Sequence, residues 1–216
     1  MRSLIPVTLA LVLASQPVPA QTPDAPAAVE EPAWSFSVVA DTYVLSDDRH
    51  YLQPTVTADR GWLHLEARHN YEGLDTASAW FGVNFNGGSA LEWAITPILG
   101  GVFGDTTGVA PGFKGSINWR RLELYGENEY VIDANNREDS YFYNWSEATL
   151  APAEWFRFGI VTQRTRVYRS DRQIQRGVMA GVSFRHVNVT GYLFNPDQDT
   201  RFVLAVGLTF GKSTHE

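Results

Sequence analysis

Residues 202–210 read FVLAVGLTF, in which large apolar side chains alternate with small or polar ones. The large side chains are those of Phe202, Leu204, Val206, Leu208 and Phe210. Successive side chains of a β-strand point to opposite faces, so this period of two predicts a strand with one strongly apolar face. Similar alternation, bounded by turn signals, recurs in about twelve segments from Trp34 onward. The sequence therefore predicts an all-β chain of about twelve antiparallel strands.

A short apolar run precedes these segments. Arg2 supplies a basic start, residues 4–14 are apolar, and Val18-Pro19-Ala20 offers small residues before a possible cut at Gln21. This arrangement predicts a cleaved signal peptide, because the run is too short for a spanning helix; a retained N-terminal anchor is the alternative. The predicted divisions are a signal peptide over 1–20, a flexible periplasmic leader over 21–33, the strand region over 34–210 and a C-terminal tail over 211–216.

Composition narrows the possible functions. The chain has 216 residues, enough for one barrel or sandwich domain, and 13% of them are aromatic, with seven Trp. Its formal net charge is −7, and no basic cluster is available to neutralise phosphates, so we expect no nucleic-acid partner. There is no cysteine, which excludes disulfides, thiolate metal sites and a cysteine nucleophile.

The connections between the strand segments alternate in length and polarity. Short connections are predicted near Asp59, Asn86, Trp119, Ala151 and His186, with tight turns at 59–61, 86–88 and 151–153. Longer or more charged connections are predicted near Asp47, Gly73, Gly104, Asn135, Ser170 and Pro196. This rhythm is typical of a barrel with short turns at one rim and longer loops at the other.

Alternation alone fits two orientations of the apolar face. A soluble β-sandwich or lipocalin-like barrel would turn that face inward, whereas a membrane barrel would turn it toward lipid. Long apolar faces in nearly every segment favour the membrane barrel, as do aromatic residues near strand ends, where interfacial girdles belong. These aromatics are Trp34, Tyr51, Trp62, Tyr71, Trp119, Tyr130, Trp155 and Tyr168.

The chain from Trp34 to Phe210 resembles the outer-membrane β-barrel proteins of Gram-negative bacteria as a class. The last strand carries the resemblance most clearly, because it closes on the aromatic Phe210, although six residues follow it. The resemblance implies a single up-and-down transmembrane barrel in the outer membrane. Its expected partners are outer-membrane lipid, lipopolysaccharide and the barrel-assembly machinery.

The polar faces of such a barrel would line its lumen. Charged residues predicted to line it are Glu66, Arg68, Glu92, Arg121, Glu123, Glu127, Glu129, Arg157 and Arg185. Charges at membrane depth must be paired or hydrated, and we expect Arg157 and Arg185 to be counter-ions of the acidic stripe on the seventh segment. Two interpretations follow: a salt-bridged, closed interior, or a narrow water-filled pore whose charges set selectivity.

No catalytic motif stands out. Outer-membrane phospholipase and lipid A deacylases use a His and a Ser two residues apart, and this chain has no His-x-Ser; its nearest analogue runs from His186 to Thr190. We therefore assign no catalytic, cofactor-binding or metal-ligating residue. The favoured hypothesis is a small pore or passive transporter without cofactor. A structural or surface-interaction barrel with a closed lumen and a lipid-modifying enzyme are the alternatives, and the oligomeric state stays open.

Overall fold

The structure is a computed structural model that describes residues 32–45, 50–167, 173–197 and 200–211. The predicted signal peptide, all but the last two residues of the predicted leader, Tyr168 and the tail beyond Gly211 lie outside the described residues. None of the helices within those ranges is long and apolar enough to cross a membrane.

Strands make up most of the described chain. In order they are β1 (Ser35–Leu45), β2 (Tyr51–Arg60), β3 (Leu63–His69), β4 (Thr76–Val83), β5 (Phe85–Gly88), β6 (Leu91–Gly104), β7 (Gly108–Trp119), β8 (Leu122–Asp133), β9 (Tyr141–Ala153), β10 (Phe156–Val167), β11 (Gln173–Phe184), β12 (Val187–Phe194) and β13 (Arg201–Gly211). A 3₁₀ turn at Arg137–Asp139 lies between β8 and β9. Asn84 alone separates β4 from β5, and both pair with β6, so they form one barrel strand.

The sheet closes on itself. Each strand pairs antiparallel with its neighbours in the chain, and the first strand pairs with the last, with Ser35 opposite Gly211. Thirteen segments thus build a twelve-strand, up-and-down barrel that leaves no sheet edge unpaired. The predicted fold class is confirmed.

The apolar face of the strands points outward. In β13 the alternating large side chains of residues 202–210 are 37–49% exposed, whereas Val203 between them is 1% exposed and lies inside. Leu99 on β6 and Ile160 on β10 are similarly exposed on the outer surface. This orientation is the reverse of a soluble lipocalin-like barrel, and a lipid environment is the one that stabilises it.

The connections alternate as predicted and define two ends of the barrel. Two residues join the strands at the short-turn end, at 61–62, 89–90, 120–121, 154–155 and 185–186. Three to seven residues join them at the long-loop end, at 46–50, 70–75, 105–107, 134–140, 168–172 and 195–200.

Two predicted turns are displaced in the chain. Residues 86–88 belong to β5, and the turn follows at Ser89 and Ala90; Gly88, with φ of 102°, supplies the left-handed backbone just before it. Residues 151–153 belong to β9, and the turn follows at 154–155. Pro152 is tolerated there because the β9–β10 register shifts at this point, so the ladder needs no amide from it.

Candidate functional site

Two apolar clusters fill the barrel interior toward the long-loop end. They contain inward-facing side chains that are all 7% exposed or less. The first cluster consists of Tyr43, Val161, Met179, Tyr192, Phe194 and Val203. The second consists of Trp80, Ile98, Val102, Ala110 and Val131. Most of these residues sit in the halves of their strands that approach the long-loop end, so water is largely excluded from that half of the lumen.

A buried cluster of ion pairs around Arg68 completes the filling. The Arg68 side chain on β3 is fully buried, and its Nε lies 2.6 Å from Oε1 of Glu66 on the same strand. Its Nη2 lies 2.8 Å from Oε1 of Glu127, and its Nη1 lies 2.9 Å from Oε2 of Glu129, both on β8. The carboxylate of Glu72 is 3.4 Å from Nη1. One guanidinium therefore holds four carboxylates from three parts of the chain.

The connection at 70–75 folds into the barrel beside Arg68. The Tyr71 ring lies 4.2 Å from the guanidinium carbon, which also lies 4.4 Å from the Trp80 ring. Tyr71 makes an edge contact with Tyr143 on β9, with ring centroids 5.5 Å apart. The Tyr141 hydroxyl donates a hydrogen bond to the backbone carbonyl of Glu72. The connection therefore reaches across the lumen from β3 and β4 to β9.

Glu72 itself is held by donors inside the barrel. Ser78 Oγ donates to its Oε1 at 2.8 Å, beside the Arg68 contact. Burial raises the pKa of the Glu72 carboxyl, although Arg68 and the Ser78 hydroxyl favour its charged form. We call the two apolar clusters, the Arg68 cluster and residues 70–75 together the inner closure.

Lys114 and His64 extend the ion pairs toward the short-turn end. Lys114 Nζ contacts Glu66 and lies 3.8 Å from Glu127 Oε2. The His64 ring joins Asp59, at 2.8 Å, to Glu66, at 3.0 Å. Both ring nitrogens are thus engaged by carboxylates, and no hydroxyl nucleophile is among these contacts. No three acidic or His side chains within the described ranges are arranged to hold a metal ion.

Below the inner closure lies a cavity of about 610 Å³. It extends toward the short-turn end, where Glu123 and Thr209 belong to its lining. Arg157, which is 33% exposed, lies 3.9 Å from Glu123 at this mouth. Tyr143 lines the opposite, buried end. The lumen thus contains a cavity that reaches partly exposed residues at the short-turn end and buried residues at the other end.

The structure distributes the predicted lumen charges over four locations. Glu66, Arg68, Glu127 and Glu129 lie in the inner closure, and Glu123 and Arg157 lie at the cavity mouth. Glu92 is exposed near the start of β6. Arg121 and Arg185 do not occupy lumen-facing strand positions, because each belongs to a two-residue turn. Arg185 takes a positive φ of 55° there.

The predicted counter-ions need correction. Arg157 does lie near Glu123, but the partner of Glu127 and Glu129 is Arg68 rather than Arg157 or Arg185. Arg68 was placed on the lumen face by its strand pattern. Nothing in the local sequence shows that β3 and β8 meet across the interior, so its partners could not be read from the pattern.

The strand-end aromatics divide between two environments. Those at the short-turn end are Trp34, Trp62, Trp119 and Trp155, which are 37–63% exposed. Tyr130 is exposed toward the long-loop end, and Tyr168 lies outside the described residues. Tyr51 and Tyr71 face the interior instead, where Tyr51 stacks on Tyr43 at 4.5 Å. A strand-end position alone does not tell whether the ring turns to lipid or to the lumen.

An apolar outer surface around an interior with buried ion pairs and a cavity defines a transmembrane β-barrel. No protein-family model matches the chain, and no curated protein matches it. Among solved structures it is similar to a protein described as "KdgM porin", with a TM-score of 0.61 and 10% sequence identity. The similarity covers 81% of this chain and 99% of that one. At this identity it shows the fold alone.

Proposed function

We propose that the protein is a small outer-membrane pore for passive movement of solutes, and that the conformation described above is its closed state. The observation that carries this proposal is the cavity of about 610 Å³ inside a barrel with an apolar outer surface. Short turns in outer-membrane barrels face the periplasm, so the cavity would open to the periplasm. Export through a cleaved signal peptide and insertion by the barrel-assembly machinery remain predictions.

The inward-folded connection is the part of the inner closure best suited to move. The strands are fixed by ladders on both sides. The middle of the 70–75 connection is held by the side chains of Tyr71 and Glu72 and by the Tyr141 hydroxyl on the Glu72 carbonyl, and hydrogen bonds of Asn70 and Asp75 hold its ends. Connections lie at the low end of local stability, so their displacement costs less than distortion of the barrel wall. Withdrawal of Tyr71 from Tyr143 would remove one of the contacts that span the lumen, beside the Arg68 ion pairs and the Tyr141–Glu72 hydrogen bond.

Single-channel recording in planar bilayers tests the pore. The wild-type protein should give small, infrequent current steps, and Tyr71→Ala should give longer or larger ones because the ring no longer bridges to Tyr143. Leu74→Ala is the matched control, since Leu74 lies in the same connection but is exposed. It should behave as the wild type. Absence of current steps from both folded wild type and Tyr71→Ala would contradict the proposal.

That absence would favour the second candidate, a structural or surface-interaction barrel with a permanently closed lumen. The observation in its favour is the inner closure itself, in which buried ion pairs and aromatic contacts join opposite walls. Heat-modifiable gel migration of the protein from outer-membrane fractions would establish folding and location for either candidate.

A further inference from the structure

Two carboxylates in the cavity form no ion pair with a described residue. Asp41 on β1 and Glu147 on β9 both line the cavity, and neither forms an ion pair with a described residue. The other lining carboxylates do, through Arg68, Lys114 or Arg157. The lining residues therefore present an excess of negative charge.

Glu147 is held in a fixed position by two aromatic donors. Trp145 Nε1 donates to its Oε1 at 2.8 Å, and the Tyr192 hydroxyl donates to the same oxygen at 2.9 Å. No described residue donates to the second oxygen. An anchored carboxylate with one free oxygen loses little side-chain entropy when a cation binds to it.

Aromatic side chains line the same cavity, with one face of Tyr43 covered by Tyr51 and one face of Tyr192 packed against Phe194. Trp145 and Tyr192 meet edge to face, with centroids 5.3 Å apart, and Tyr43 and Tyr143 line the cavity beside them. The faces of such rings attract cations, most strongly quaternary and other alkylammonium groups. Carboxylates and aromatic faces together form the chemistry that recognises an organic cation rather than a hydrated metal ion.

A buried acceptor lies next to Asp41. Gln53 stands opposite Asp41 in the β1–β2 register and is 5% exposed, and no described residue donates a hydrogen bond to its amide oxygen. A buried acceptor without a donor is costly, but Gln53 does not belong to the cavity lining and supplies no contact for a molecule bound there. Arg157, a cation that lines the cavity, instead contacts Thr190 at 3.3 Å and Glu123.

We propose that the cavity binds a small organic cation of the ammonium class between Asp41, Glu147 and the rings of Trp145 and Tyr192. The inference rests on the proposed function, because it names the solute class that the pore would admit. The cavity volume is ample for a molecule of choline size.

Calorimetric titration of the folded, full-length protein in detergent tests the site with choline as the probe. The control ligand is 3,3-dimethylbutan-1-ol, which has nearly the same shape without the charge. Choline should bind at least about tenfold more tightly than the alcohol, a difference of about 1.4 kcal/mol. Equal affinities, or no binding of choline, would overturn the proposal, and this comparison requires no variant.

Variants locate the site. Asp41→Asn and Glu147→Gln should each weaken choline binding by about tenfold or more. Glu154→Gln, in the exposed turn after β9, is the matched control and should bind choline as the wild type does. Choline binding that is unaffected by both lumen variants would place the cation elsewhere and refute the assignment.

The two proposals can fail separately. Choline binding without any current from Tyr71→Ala would leave the cation site intact and refute the pore. Current steps from Tyr71→Ala without preferential choline binding would support the pore and refute the cation site.

Discussion

Substituting Arg68 by Met should lower the free energy of unfolding by about 3–5 kcal/mol, the typical cost of removing one partner from a buried ion cluster. The guanidinium is fully buried and lies within 2.6–3.4 Å of four carboxylates. Methionine retains apolar contact with the Tyr71 and Trp80 rings, so the loss reports mainly the missing charge. Lys114, at the edge of the cluster, cannot replace it, because its described ion pairs are with Glu66 and Glu127.

A matched variant separates this effect from the general loss of an arginine. Arg157→Met removes a partly exposed guanidinium whose nearest carboxylate is 3.9 Å away, and should cost no more than about 1 kcal/mol. Adding Glu129→Gln to Arg68→Met removes one uncompensated carboxylate. It should restore about 1–2 kcal/mol, within the range of coupling between residues in one network.

Urea unfolding of the protein refolded into lipid vesicles, followed by far-ultraviolet circular dichroism, measures these differences. If Arg68→Met costs less than about 1 kcal/mol, or no more than Arg157→Met, the charge cluster does not stabilise the barrel. A double variant that is less stable than Arg68→Met would also refute the reasoning, because it would mean that Glu129 is needed for something other than its pairing with Arg68.

Two further predictions concern the same half of the lumen. Burial raises the pKa of Glu72, so the stability that its protonated form contributes should be full below the ordinary pKa of 4.5 and lost as the pH rises through the raised pKa. Glu72→Gln should therefore lose less stability over that rise in pH, as measured by urea titrations at several pH values. Gly100→Ala should destabilise the barrel by about 1–3 kcal/mol, because the added Cβ would lie 2.5 Å from the Trp80 ring. Gly115→Ala, whose added Cβ would have its nearest contact at 3.5 Å, should be tolerated, and equal urea midpoints for the two variants would contradict this prediction.

The barrel wall was predictable because its signal is local. Strand alternation follows from the pleat, and the outward face of β13 could be read directly from residues 202–210. The positions of individual turns were less secure. The Asn-Gly pair at 86–87 is a strong hairpin signal, yet pairing with β6 continues through Gly88 before the chain turns.

The interior was less predictable because it depends on contacts between distant strands. The pattern placed Arg68 and Glu127 on the lumen face but could not show that they meet. Tyr71 was interpreted as an interfacial aromatic, although its ring lies inside beside Arg68. Glu147 was not singled out, since a lone Glu in a strand carries no motif. Its importance arises only from the two donors that hold it.

A lumen with a single mouth has a kinetic consequence. A molecule that diffuses in from the short-turn end will normally leave by the same route, so occupancy equilibrates with that compartment alone. In the proposed pore, net flux across the membrane would be set by how often residues 70–75 withdraw and for how long, rather than by the width of the cavity. A solute that binds in the cavity would thus remain in exchange with the compartment at the short-turn end between openings of the proposed pore.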